Sequence, residues 1–319
     1  MASMAIDLSV VIPIRNEAPA LAELVSELTG ALKDWDGSFE IIVVDDGSTD
    51  ESFEILTRLQ AGEARLRVIR FRRNFGQTAA FAAGFAHARG RLIATSDGDL
   101  QNDPHDIPAM IEWIDKGYDI VCGWRKNRKD SLSRRLPSTL ANRLISAVTR
   151  VRLHDYGCSL KVFRAEVIKP LKLYGEMHRF LPAIASEQGV AIKEVEVNHR
   201  ARKYGESKYG ISRTVRVILD LLTVKFLLSY STRPLQIFGV IGMGMGLTGL
   251  VICAYLAILR LRELASLTQR MPLLLLGILL IFTGFQLVTL GLLAELQART
   301  YHESQDKPVY VIREIREHV

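Results

Sequence analysis

Two stretches of this chain contain no charged residue at all, residues 235–259 and residues 271–294. Runs of that length must leave water, and each exceeds the roughly 20 residues a helix needs to cross a hydrocarbon core. The alternative is a pair of core helices buried inside a large domain. Between the runs, LRLRELASLTQR carries Arg260, Arg262, Glu263 and Arg270 and reads as a short loop, so the spans form a helical hairpin. Arg213, Arg216, Lys225 and Arg233 precede the hairpin, and Arg299, Lys307, Arg313 and Arg316 follow it. These eight flanking cations outweigh the three arginines of the loop and place both flanks on the cytoplasmic side.

The hairpin organises the rest. Residues 1–210 read as a cytoplasmic globular domain and 211–233 as amphipathic helices lying in the membrane interface. The alternative for 211–233 is a last helix of the globular domain. Residues 234–298 hold the spans, and 299–319 form a cytoplasmic tail. In that tail KPVYVIREI alternates like a strand and needs a partner edge, in its own domain or in a neighbouring subunit. Gly242 and Gly246 of the first span form a small-xxx-small pair, and with the tail strand they suggest a homo-oligomer. Charged residues at 24% and apolar residues at 48% exclude a disordered chain. Three scattered cysteines exclude a disulfide framework and fit a reducing compartment. The first residues lack the basic start of a signal peptide. Net charge is +6, but the cations gather toward the membrane end without a nucleic-acid motif, so no nucleic acid is expected.

Over residues 7–122, LSVVIPI, FEIIVVD, LRVIRF, RLIATSD and YDIVCG are short β-rich runs separated by helical patterns. Strands apolar on both faces that alternate with helices predict a mostly parallel, Rossmann-like α/β sheet. Ligands of such sheets sit at the carboxyl ends of the strands. The polar residues gather there: Arg15-Asn16-Glu17, then Asp45-Asp46-Gly47-Ser48, then Asp97-Gly98-Asp99. No GxGxxG or GxxxxGK[ST] follows a strand, which excludes the usual dinucleotide and P-loop sites. Alternating carboxylates at a strand end suit a hard divalent ion carrying a diphosphate, although the same residues also make simple turns. Asp50 reads as a cap of the next helix. No His/Cys cluster has zinc-site spacing.

VIPIRNE, IIVVDDGSTDES, RNFGQTAAFAAGF and SDGDLQNDP, in that order, resemble the nucleotide-sugar motifs of family 2 glycosyltransferases with the A-type fold. HDYGCSLKVFR, NHRARKYGESKYG and the two spans are similar to one branch, the polyisoprenyl-phosphate glycosyltransferases, and the likeness runs nearly end to end. The resemblance implies that Pro13, Arg15, Glu17, Asp45, Asp46 and Asp97 contact the nucleotide. It also implies that Asp97, Asp99 and Gln101 bind Mg²⁺ or Mn²⁺. Arg15 stands where some mannose synthases of the branch carry tyrosine. Asp155 matches the position used as base or sugar orienter. Arg125, Arg134, Arg200, Arg202 and Lys208 are the candidate cations for an acceptor phosphate, since the guanidinium fork suits phosphate oxygens. A phosphate monoester is already largely dianionic at neutral pH, so it needs positioning more than deprotonation.

The expected reaction is therefore inverting transfer of a hexose from a nucleotide-diphosphate sugar, first UDP-glucose, to a polyisoprenyl phosphate at the plasma membrane. GDP-mannose or a UDP-aminoarabinose are the alternative donors. A processive polysaccharide synthase and a catalytically silent scaffold are the competing classes. Absence of Q-x-x-R-W and the presence of only two spans speak against the first, and the intact D-x-D against the second. A tetramer is implied by resemblance to bacterial relatives.

Overall fold

The computed structural model describes residues 6–126, 146, 149, 151–173, 177–201, 203–204, 234–262, 270–304 and 309–318. The chain divides into two compact units, Met1–Val224 with Pro308–Val319, and Lys225–Lys307.

In the first unit the strands are β1 (Leu8–Ile14), β2 (Phe39–Asp45), β3 (Leu66–Phe71), β4 (Leu92–Thr95), β5 (Ile120–Trp124), β6 (Lys161–Arg164), β7 (Ile192–Glu196) and β8 (Ile312–Arg316). They form one sheet in the order β7-β5-β6-β4-β1-β2-β3-β8. Each of the first four is parallel to its neighbours among them. The helices are α1 (Leu21–Ala31), α2 (Ser52–Gly62), α3 (Gln77–His87), α4 (Asp106–Asp115), α5 (Ala165–Ile168) and α6 (Leu181–Ser186). Every residue of β1 and β2 is buried, as a strand covered on both faces requires. On one face Leu8, Val10 and Ile12 join Leu21, Leu24 and Leu28 of α1 and Ile107, Met110 and Ile114 of α4 in a single core cluster. Each such side chain contributes about 1.5–3 kcal/mol by leaving water.

The parallel β/α units predicted from residues 7–122 are all present. Two features depart from a simple repeat. The antiparallel β6 inserts between β4 and β5, pairing Thr95 with Lys161 and Cys122 with Lys161. The tail strand β8 lies antiparallel on β3 of its own chain, so the expected partner edge is found within this domain.

A buried ionic network anchors β8. Glu40, 2% exposed, accepts hydrogen bonds from Ser9 Oγ (2.6 Å), Arg67 Nη1 (2.8 Å) and the Arg89 amide (2.7 Å). Glu317, just beyond β8, takes Arg67 Nε at 2.9 Å and Arg89 Nη2 at 2.7 Å. Deleting residues 307–319 uncovers β3 and leaves Arg67 with half its counter-charge. The expected result is a melting temperature lower by about 5 °C or more, read by thermal unfolding in detergent. An unchanged melting temperature would mean that β8 contributes nothing where it is seated.

The second unit is a helical hairpin, α7 (Pro234–Leu261) and α8 (Met271–Ser304). Its apolar windows, Phe238–Leu261 and Met271–Ala294, have mean hydropathies of 2.0 and 2.4, yet only 17% and 11% of them is buried. Core helices would be mostly buried. These instead expose Leu247, Leu250, Phe282 and Phe285 as lipid-facing helices do. The helices touch through glycine: a Cβ on Gly284 would lie 2.4 Å from the Gly242 carbonyl oxygen and 2.7 Å from the Gly246 nitrogen. The small-xxx-small pair is thus used inside the hairpin, where close backbone approach is what small residues permit.

Candidate active site

Three loops meet at the carboxyl ends of β1, β2 and β4. The β1 loop is pinned to the β2 loop by side-chain oxygens. Ser48 Oγ accepts the Asn16 amide (3.0 Å), Ser52 Oγ the Glu17 amide (3.1 Å), and Asn16 Oδ1 the Thr49 amide (2.8 Å). Asp50 is not the cap of α2, whose N-cap is Glu51 without a side-chain bond; it accepts the amide of Ser52 two residues on, as turn-forming aspartates do, and that of Ala18 in the β1 loop. Gly47 turns this loop at φ 65°, and a Cβ there would lie 2.5 Å from the Arg73 carbonyl carbon, so only glycine fits.

The paired carboxylates after β2 differ in their surroundings. Asp45 is fully buried, accepts the Ser48 amide at 2.8 Å and lies 3.6 Å from Arg70 Nε. Its Oδ2 has no hydrogen-bond donor. Asp46 spends both oxygens on the next loop, accepting Phe75 N–H (2.6 Å), Gly76 N–H (3.0 Å) and Asn74 Nδ2 (2.8 Å). Burial pushes its carboxyl up from the ordinary range, against the pull of those amides and of Arg15. Asp46 therefore fixes the start of α3. Pro13 is buried in β1, Arg15 is exposed and Glu17 half-buried, all beside this loop pair.

After β4, Asp97 Oδ1 accepts Gln77 Nε2 from the start of α3 at 2.8 Å. Asp99 accepts the Gln101 amide at 3.2 Å. Between them Leu100 holds φ at 61°, an unfavourable backbone for a bulky residue, and its side chain is buried in the core cluster. Burial of Leu100 offsets that strain and turns the loop so that both aspartates lie at its rim. Gln101 exchanges backbone hydrogen bonding with Arg200, accepting the Arg200 amide at 2.9 Å.

Asp155, 2% exposed, is clasped by Arg125 through Nε (2.7 Å) and Nη2 (3.0 Å) and also accepts the Gly157 amide (3.1 Å). Burial works against the Arg125 charge, but the Asp155 hydrogen bonds and charge outweigh it and hold the guanidinium protonated. Arg125, a candidate phosphate cation, is thus paired with Asp155. Arg200 is placed similarly: Nη1 pairs with Glu27 at 2.6 Å and Nη2 with Asp103 at 2.8 Å, tying its segment to α1 and to the D-x-D loop. Arg134, Arg202 and Lys208 lie outside the described residues.

Beside Asp97 a small cleft opens, bounded by Gln77 and Phe81 of α3, Tyr156–Ser159, Lys161 of β6, and His178 and Arg179 of the 3₁₀ turn Met177–Phe180. Motif reading did not single out Lys161, His178, Arg179 or Gln77. Only Lys161, a charged residue opening the short run KVFR, could have drawn attention.

Residues 9–171 match the profile described as Glycosyl transferase family 2. The chain belongs to that family. It is 47% identical to the dodecaprenyl-phosphate galacturonate synthase of Rhizobium johnstonii, over 97% of this chain and 93% of the relative. It is 37% identical to the undecaprenyl-phosphate 4-deoxy-4-formamido-L-arabinose transferase of Pseudomonas syringae, over 96% and 90%. Its fold is that of the Mycobacterium tuberculosis glucosyl-3-phosphoglycerate synthase crystallised with Mn²⁺ and UDP-glucose, at TM-score 0.54 and 21% identity over 69% of this chain and 79% of that one. The mixed α/β sheet is therefore the A-type glycosyltransferase fold, and the polyisoprenyl-phosphate sugar transferases are its curated relatives.

The residues of the D-x-D loop suit a hard divalent ion. Asp97 and Asp99 offer carboxylate oxygens, and among the described residues no group of three or more His, Cys, Asp or Glu gathers. A pair of carboxylates completed by substrate phosphates is how Mg²⁺ is ordinarily held.

Proposed function

We propose that the protein transfers a hexuronosyl group, galacturonate first, from its UDP-sugar to a polyisoprenyl phosphate on the cytoplasmic face of the plasma membrane. The observation that carries this reading is end-to-end identity of 47% with a dodecaprenyl-phosphate galacturonate synthase, joined to a D-x-D loop at the carboxyl end of β4. UDP-galacturonate replaces the UDP-glucose expectation as first donor, with the formamido-arabinose donor of the 37% identical relative as the second reading.

A phosphate oxygen of the lipid attacks the anomeric carbon as the bond to the β-phosphate oxygen breaks, so the sugar inverts and UDP leaves. Asp97 and Asp99, with Gln101, would hold Mg²⁺ or Mn²⁺, which would neutralise charge on the departing diphosphate. Asp45 and the β1 loop with Pro13, Arg15 and Glu17 receive the uridine, and Asp46 holds the Asn74–Gly76 loop against them. Asp155 acts through Arg125, fixing the guanidinium in position. Arg134, Arg202 and Lys208 supply acceptor-phosphate cations from segments outside the described residues. The exposed apolar hairpin keeps the enzyme at the bilayer where the lipid resides.

The test is a donor panel: membranes carrying the protein, a short-chain polyprenyl phosphate, and radiolabelled UDP-galacturonate, UDP-glucose, the UDP-formamido-arabinose and GDP-mannose. Label is expected in the lipid fraction with UDP-galacturonate above the others. Preferential labelling from any other donor overturns the hexuronate reading.

A further inference from the structure

Lys161 is 3% exposed and lines the cleft beside Asp97, yet among the described residues no carboxylate pairs with it. Its ammonium donates to the Cys158 carbonyl oxygen, which leaves two protons and the full charge unmatched. Burying an ammonium without a counter-ion is costly, so such a group points to an anion that arrives with a ligand. Arg179, half-buried in the same wall, likewise has no carboxylate partner among the described residues. Between them His178 is fixed by Thr78 Oγ1 at 2.8 Å. Three basic side chains from β6 and the 3₁₀ turn thus converge on one cavity in which Asp97, the acid among its described lining residues, is engaged by Gln77.

The position of the cavity distinguishes the anions a lipid-linked sugar transfer could bring. Asp99 and Gln101, the outer half of the D-x-D loop, do not line it, and neither does Arg125. The cavity is lined by Asp97, by Gln77 and Phe81 of α3, and by Lys161 of β6. A diphosphate carried by the D-x-D loop would bring its sugar next to Asp97, the residue of that loop that lines the cavity. An acceptor phosphate would have to come in from the open side to reach an ammonium so deeply covered.

Resting on the hexuronate reading above, we infer that Lys161, His178 and Arg179 form a subsite for the carboxylate of the donor sugar. A site built on charged hydrogen bonds rejects the analogue that lacks the matching group, because its own polar atoms are then left unpaired. The subsite therefore selects a sugar acid over the neutral hexose of the same stereochemistry.

The experiment compares UDP-galacturonate with UDP-galactose, which differ only at C6, in the full-length protein with lipid phosphate and divalent ion. The wild type is expected to favour the acid by roughly a hundredfold or more in kcat/KM. Arg179→Gln and Lys161→Met are each expected to shrink that ratio by about tenfold or more. The exposed-side variant Arg179→Gln keeps the test valid if Lys161→Met fails to fold. A ratio that stays put while both donors lose equally overturns the subsite. Weaker inhibition by UDP would then assign the cations to the diphosphate, and a raised KM for the lipid would assign them to the acceptor phosphate. A wild type that turns over neither uronate nor galactose, but uses another donor, instead overturns the hexuronate reading itself.

Discussion

An Asp97→Asn variant is expected to lose transfer by about a thousandfold while melting at the wild-type temperature. Asp97 is half-buried at the end of β4, and the hydrogen bond that its carboxylate accepts from Gln77 Nε2 is kept by an asparagine oxygen. No core contact is lost, so the fold survives. What disappears is a negative oxygen donor facing the diphosphate. Interactions of this kind supply several kcal/mol in the transition state, and about 1.4 kcal/mol is a factor of ten in rate. Asp99→Asn should behave alike, and Gln77→Ala more mildly, by about tenfold, because it only releases the orientation of Asp97. Activity would be followed by label transfer with and without EDTA, and folding by thermal unfolding. Near-normal turnover in either aspartate variant, or wild-type activity indifferent to EDTA, removes the D-x-D loop from the chemistry.

What could be read from the sequence follows the range of the forces involved. The runs LSVVIPI and FEIIVVD announce strands buried on both faces, and the structure buries every residue of each. SDGDLQND announces a polar strand end, and Asp97 and Asp99 flank it. β6 was not legible: four residues, KVFR, carry a lysine and an arginine, and only the ladder to β4 and β5 makes them a strand. Cations read as phosphate ligands proved hardest to place, because their partners are remote in the chain. Arg200 meets Glu27 from 173 positions away, and Arg125 meets Asp155 from 30. The resemblance implies that Asp46 contacts the nucleotide, and in the structure three donors of the following loop meet its oxygens. Of the basic wall of the cleft, His178 and Arg179 gave no local signal, since MHRF resembles any surface turn until it meets α3 at the cleft.

The Asp155–Arg125 pair separates two roles that sequence alone leaves joined. With side chains 3% and 14% exposed, the pair lies almost out of water. Removing one partner strands a buried charge, at a cost of about 3–5 kcal/mol. Asp155→Asn is therefore expected to lower the melting temperature by about 10 °C as well as to remove activity. A group that served only as a base would cost activity and little stability. The double variant Asp155→Leu/Arg125→Met removes both charges together, and apolar replacement of a buried pair is often close to neutral. It should regain most of the lost stability and none of the activity, since the guanidinium that Asp155 orients is gone. The readouts are thermal unfolding and the KM for lipid phosphate in Asp155→Glu, which keeps the charge and should retain part of the turnover. If Asp155→Asn melts like the wild type and only turnover falls, Asp155 touches the substrate directly and its hold on Arg125 is incidental.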